Sequence, residues 1–78
     1  MATTTKAYIL IECSIGTTKD VVMGLKKLKG IKSVEAVTGP YDVIAVVEFE
    51  SLNELGDMVT QNVQMASGIK RTVTCLVV

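Results

Sequence analysis

Histidine and tryptophan are absent from this sequence, proline occurs once, and two tyrosines and one phenylalanine are its only aromatic residues. Without histidine the chain lacks the side chain that titrates near neutrality unperturbed, which argues against general acid–base catalysis. The same absence, together with only two widely separated cysteines, removes the common zinc patterns. No metal or other cofactor is expected. Eight basic side chains balance eight acidic ones, so the basic excess that neutralises phosphates in nucleic-acid binders is missing. Lys26, Lys27, Lys29 and Lys32 then read as the wet face of a helix, and no direct nucleic-acid contact is expected. No apolar run approaches the ~20 residues that cross a bilayer. The opening MATTTK lacks the apolar core of a secretory signal. The expectation is a cytoplasmic protein with no membrane contact, in which Cys13 and Cys75 are buried thiols acting as small hydrophobes.

What is present is aliphatic. Apolar residues make up 49% of 78 residues, so the interior is built from Val, Ile, Leu and Ala. A chain this short buries only roughly 60% of its unfolded surface and usually needs a second source of stability. With disulfides and metals set aside, self-association remains.

The chain reads as one unit written twice. GIK occurs at 30–32 and again at 68–70, and the same offset carries Ala7 onto Ala45, Ile9 onto Val47, Ile11 onto Phe49 and Val21 onto Val59. Each half is strand, polar cap, helix, GIK, strand. AYILIECSI (7–15) alternates with Ala7, Ile9, Ile11 and Cys13 on one face. Thr17 is the expected N-cap of a helix with Val21, Leu25 and Leu28 as its stripe, ended by Gly30. Gly24 inside that helix suggests a close approach to the sheet. IKSVEAVT (31–38) has ambiguous facing and suits a bulged edge strand. Gly39-Pro40-Tyr41-Asp42 reads as a type I turn, and YDVIAVVEF (41–49) as a strand apolar on both faces. SLNE (51–54) is a capping box opening a second helix with the stripe Leu52, Leu55 and Val59. IKRTVTCLVV (69–78) is the last strand.

The order βαββαβ with two right-handed crossovers gives an α+β, ferredoxin-like domain: a four-stranded antiparallel sheet, order 4-1-3-2, with both helices on one face. Residues 1–78 form a single domain, with 1–6 as a short N-terminal extension. Odd residues of strands 1, 3 and 4 are expected to face the helices. The uncovered face would then present Tyr8, Leu10, Ile44, Val46, Leu76 and Val78, too apolar for bulk water. Their burial is worth on the order of 9–18 kcal/mol per protomer, at roughly 1.5–3 each, against an association cost of about 4–15. A sheet-to-sheet dimer through the open face follows.

At this point the sequence resembles a family. GIKSVEAVTGPYDVIAVVEF, with strand, G-x-[YF]-D turn and strand, and SGIKRTVTCLV, a glycine-led last strand carrying T-x-T, are similar to the ligand-binding and oligomerisation (RAM) domain of the Lrp/AsnC transcription regulators. The resemblance covers about residues 7–78. Family regulators carry a helix-turn-helix domain ahead of this one, whereas six residues precede the first strand here, so the chain resembles the stand-alone form. The resemblance implies an amino-acid-responsive assembly module connected with transcription regulation, a ring of dimers such as an octamer, and a full-length Lrp/AsnC regulator as co-assembling partner. It also implies a small amino-acid effector bound at dimer–dimer junctions, with Gly39, Tyr41, Asp42, Thr72 and Thr74 lining or shaping the site. The Asp42 carboxylate suits an ammonium group, and turn N–H groups with the Thr72 and Thr74 hydroxyls suit a carboxylate. Met58 and Asn62, one helical turn apart, are further candidates from a neighbouring dimer.

Three rival readings differ in what they need. A small ferredoxin-like enzyme would need a titrating group near neutrality, which this chain lacks. A purely structural or protein-interaction module shares the dimer but binds no small ligand. An ACT-type sensor shares βαββαβ, yet SIGTTK (14–19) offers only Gly16 at the position where that type binds.

Overall fold

The computed structural model describes residues 4–63 and 66–78, with the Asn62 side chain outside that description. The elements are β1 (Thr5–Cys13), α1 (Thr18–Lys26), β2 (Ile31–Ala36), β3 (Val43–Phe49), α2 (Leu52–Met58) and β4 (Ile69–Leu76). α2 runs on into a π-helical turn at Val59–Val63. The strands are antiparallel in the order β2-β3-β1-β4, which is the expected sheet.

The alternation of β1 and β3 builds the core. Ala7, Ile9, Ile11, Val43, Ala45 and Val47 are all essentially inaccessible and pack with Val21 and Leu25 of α1 and Leu55 and Met58 of α2. Helix ends behave less uniformly. Ser51 caps α2 by accepting the Glu54 N–H at 3.1 Å. Thr17 holds the N-cap position of α1, but its hydroxyl donates to the carbonyls of Ser14 (2.7 Å) and Gly68 (3.2 Å) instead of accepting from the helix. The start of α1 is thereby tied to the entry of β4. Gly30 takes φ +89° as the helix stop, and a Cβ there would collide with the Phe49 ring. Gly24 departs from expectation: nothing lies within 4 Å of where its Cβ would be. Leu52 departs too. It is exposed, and Met58 fills the core in its place, because Leu52 sits on the first turn, ahead of the packed part of α2.

Two bulges decide the edges. In β2 the register shifts between Ile31 and Ser33, so Ile31, Val34 and Ala36 all face the core side despite their mixed parity. In β4 the register shifts as Glu12 pairs with Arg71 and Cys13 with Ile69, leaving Lys70 as the extra residue. Directly opposed residues share a face, and a one-residue insertion flips everything beyond it. Ile69 therefore faces the helix side as expected, but past Lys70 the even residues do: Thr72 lies opposite Ile11, Thr74 opposite Ile9 and Leu76 opposite Ala7. The odd-residue expectation for strand 4 fails beyond Ile69.

Candidate functional site

The loop between β2 and β3 is the first element to place. It is closed by the Val37 N–H donating to the Asp42 carbonyl at 2.9 Å. The Asp42 N–H donates to Ile11 O (2.9 Å) across the sheet and not back to Gly39, so the Gly39–Asp42 stretch is not closed by a turn hydrogen bond of its own. The Asp42 carboxylate accepts the Cys13 N–H at 2.8 Å. Asp42 thus fastens both its backbone and its side chain to the end of β1, while Gly39 (φ +144°) and Pro40 stay exposed at the tip. Cys13, buried beside it, has its thiol pushed above the ordinary value of 9.0, first by burial and second by the Asp42 charge, with a Thr18 hydrogen bond opposing.

Tyr41 meets a residue that the alternation did not single out. The Arg71 guanidinium lies 5.9 Å from the Tyr41 ring centroid, and Arg71 Nε is 3.6 Å from Glu12 Oε1. The bulge at Lys70 creates this group by turning Arg71 onto the face of Glu12. Its sequence signal was the run Lys70-Arg71-Thr72 between Ile69 and Val73, three polar residues that no strict alternation accommodates. Arg71 is 65% exposed, so its donors remain reachable.

The other predicted residues divide. Thr72 is half-buried opposite Ile11, whereas Thr74 lines a cavity of about 290 Å³ with Leu52, Leu55, Val59 and Leu76, between α2 and β4. Both threonines lie on the helix side of the sheet, not on the open side as expected. Met58 is 6% exposed and belongs to the core. It borders a cavity shared with Lys29, Phe49, Glu54, Asp57 and Gln61, none of which belongs to the Gly39–Asp42 loop. The Asn62 side chain lies outside the described residues.

The open face carries four of its six expected members. Tyr8 opposes Val46 and Leu10 opposes Ile44. Leu76 is on the helix side, and Val78 lies beyond the strand; the bulge instead puts Val73 opposite Leu10 and Cys75 opposite Tyr8. Cys75 is consequently exposed, not buried as the sequence suggested. Among the described residues no group of acidic, Cys or His side chains is arranged to hold a metal ion, and no helix is long and apolar enough to cross a membrane.

The βαββαβ order with the sheet order β2-β3-β1-β4 defines a ferredoxin-like α+β domain with one helix-free apolar face. Residues 6–78 match the family described as Lrp/AsnC ligand binding domain, and the chain belongs to that family. Among solved structures, TTHA0845 from Thermus thermophilus is similar, with 32% identity, a TM-score of 0.91, and 95% of this chain and 92% of that one covered. AsnC of E. coli shares the fold at 21% identity and a TM-score of 0.89, with 95% of this chain covering 50% of that one. Homocitrate synthase of Sulfurisphaera tokodaii is 32% identical over 73 residues, which are 92% of this chain and 16% of that enzyme. The chain therefore spans a small part of the curated relatives it matches.

Proposed function

We propose that this chain is a non-catalytic, effector-responsive assembly domain: it self-associates through the open sheet face and binds a small amino acid beside the Gly39–Asp42 loop. The observation that carries the reading is the Arg71–Glu12–Tyr41 group next to that loop. A zwitterion needs fixed donors for its carboxylate and acceptors for its ammonium group, and Arg71 with Glu12 offers both within one side chain's reach. Tyr41 supplies a rigid wall, and Asp42 holds the loop in place through Cys13. The site lies at the rim of the sheet face that a second copy covers, so occupancy alters how copies pack. Co-assembly with a longer Lrp/AsnC regulator gives this response its output, inside the cytoplasm.

Thermal-shift titration of the twenty amino acids, paired with native mass spectrometry, tests the proposal. The expected result is stabilisation by a subset at millimolar concentration, with a change in assembly mass. No response to any of them, with an unchanged mass, leaves only the structural-module reading. The match to homocitrate synthase carries a second reading, in which the partner is an enzyme of that kind. Co-purification of the chain with such an enzyme, sensitive to the same amino acid, would favour it over a DNA-binding partner.

A further inference from the structure

The bulge at Lys70 has a second consequence beside Arg71. In a regular strand, neighbouring side chains turn to opposite faces. The extra residue breaks that alternation, and Lys70 and Arg71 border the same space. That space is a cavity of about 310 Å³ on β4, lined by Ile69, Lys70, Arg71 and Thr72. It stands at the small end of ligand cavities, which run from roughly 300 to 1,000 Å³.

Its charge is of one sign. Two of the four lining residues are cations and none is an anion. Cavities elsewhere differ: Asp20 lines the one against α1, and Glu54 with Asp57 line the one beside Phe49. The carboxylates near this edge are already engaged. Glu12 Oε1 lies 3.6 Å from Arg71 Nε, and the Asp42 carboxylate accepts the Cys13 N–H and takes no part in the lining. Lys70 is exposed and, among the described residues, has no carboxylate within ion-pair distance. One carboxylate thus serves two adjacent cations, and the surplus positive charge falls to Lys70.

We propose that the effector of this site is a dicarboxylic amino acid, with Lys70 as the residue that selects it. The inference rests on the reading of Arg71, Glu12 and Tyr41 as the amino-acid site, and it adds the class of side chain accepted there. The α-carboxylate takes the Arg71 fork, the ammonium group takes Glu12, and the side-chain carboxylate takes the Lys70 ammonium. Consecutive Cα atoms are about 3.8 Å apart, so one small molecule can touch both cations. An acidic amino acid carries one net negative charge, which matches the surplus. A basic side chain would meet like charge at Lys70, and an aliphatic one would leave that charge unmet.

Calorimetric titration with glutamate against glutamine, and aspartate against asparagine, tests the selection. Each pair is close in shape and differs in charge. The acid should bind about three- to fivefold more tightly than its amide at low ionic strength, the range of an exposed ion pair, and the preference should shrink as salt rises. Lys70→Gln should remove the preference and Lys70→Arg should retain it, with circular dichroism verifying the fold of both. Glutarate, which lacks the ammonium group, should bind more weakly than glutamate. Equal binding of acid and amide by the native chain overturns the inference and leaves the amino-acid site standing. So does a preference that persists in folded Lys70→Gln, or tighter binding of an aliphatic or basic amino acid than of glutamate. Binding of none of the twenty amino acids removes the site itself, and the inference with it.

Discussion

The Asp42 carboxylate accepts the Cys13 N–H at 2.8 Å, joining the β2–β3 loop to the far end of β1 across 29 positions of sequence. A residue read from sequence as a ligand contact therefore also carries the loop. Asp42→Ala should cost about 1–3 kcal/mol of stability, the usual cost of stranding a partly buried N–H. Asp42→Asn retains an acceptor and should recover part of the loss. Denaturation midpoints of the two variants, with amide exchange at Cys13, check this; equal midpoints for Asp42→Ala and wild type would remove the anchoring role.

Arg71→Ala should weaken amino-acid binding by about 10–100-fold, corresponding to the loss of a charged hydrogen bond worth roughly 1.5–3 kcal/mol. Arg71→Lys should not restore it, because lysine lacks the planar fork. Calorimetric titration measures the change. Stability should hardly move, since Arg71 is largely exposed and its contact with Glu12 is a surface pair.

Gly24→Ala is expected to stabilise the protein by about 0.5–1 kcal/mol. Open space surrounds the site, and alanine gains helix propensity at no steric cost. For a domain of this size that is a rise of several degrees in Tm, of the order of 4–8 °C per kcal/mol, readable by calorimetry.

Gly68→Ala and Gly16→Ala should separate two kinds of strain. Both glycines have positive φ, +92° and +83°. A Cβ at Gly68 would stand 2.8 Å from the Thr17 Cβ, whereas Gly16 has nothing within 4 Å. Gly16→Ala should cost only the conformational penalty of about 1–2 kcal/mol. Gly68→Ala should cost more and should be partly rescued by Thr17→Gly, which removes the two Thr17 atoms nearest the new Cβ, as chemical denaturation of the double variant would show.

The raised thiol of Cys13 gives stability a definite slope in alkali. Its folded pKa lies above the ordinary 9.0, so the folded chain holds the proton more tightly than the unfolded one. That contribution is complete below pH 9 and is lost as pH rises through the folded value. Cys13→Ala should flatten the fall in unfolding midpoint above pH 9. Alkylation at neutral pH should meanwhile label exposed Cys75 first.

The parts of the fold legible in the sequence were those governed by period. Ile9 and Ile11 in β1, Val43 and Val47 in β3, and Val21 and Leu25 in α1 announced their burial by spacing alone. What escaped depended on competition between distant groups. The Thr17 hydroxyl serves Gly68 rather than its own helix, and the Asp42 N–H serves Ile11 rather than its own turn. Neither choice is visible until the two ends meet. The same holds for the candidate site: the loop motif singled out Tyr41 and Asp42, but nothing in the spacing singled out Arg71, which stands beside Tyr41, and Thr74 was expected on the wrong side of the sheet. A strand read by strict parity assigns every later residue to the wrong side once one extra residue intervenes.

Lys70 therefore acts as the hinge of a reading frame for the surface. Drawn into a regular ladder with Lys70 kept in register, the same strand would slide the hydroxyl-bearing positions out to the sheet's bare side and send a valine and a thiol inward, with every amino acid unchanged. Smoothing that one kink, more than any exchange of side chains, is the smallest change that would turn this molecule's contact surface inside out.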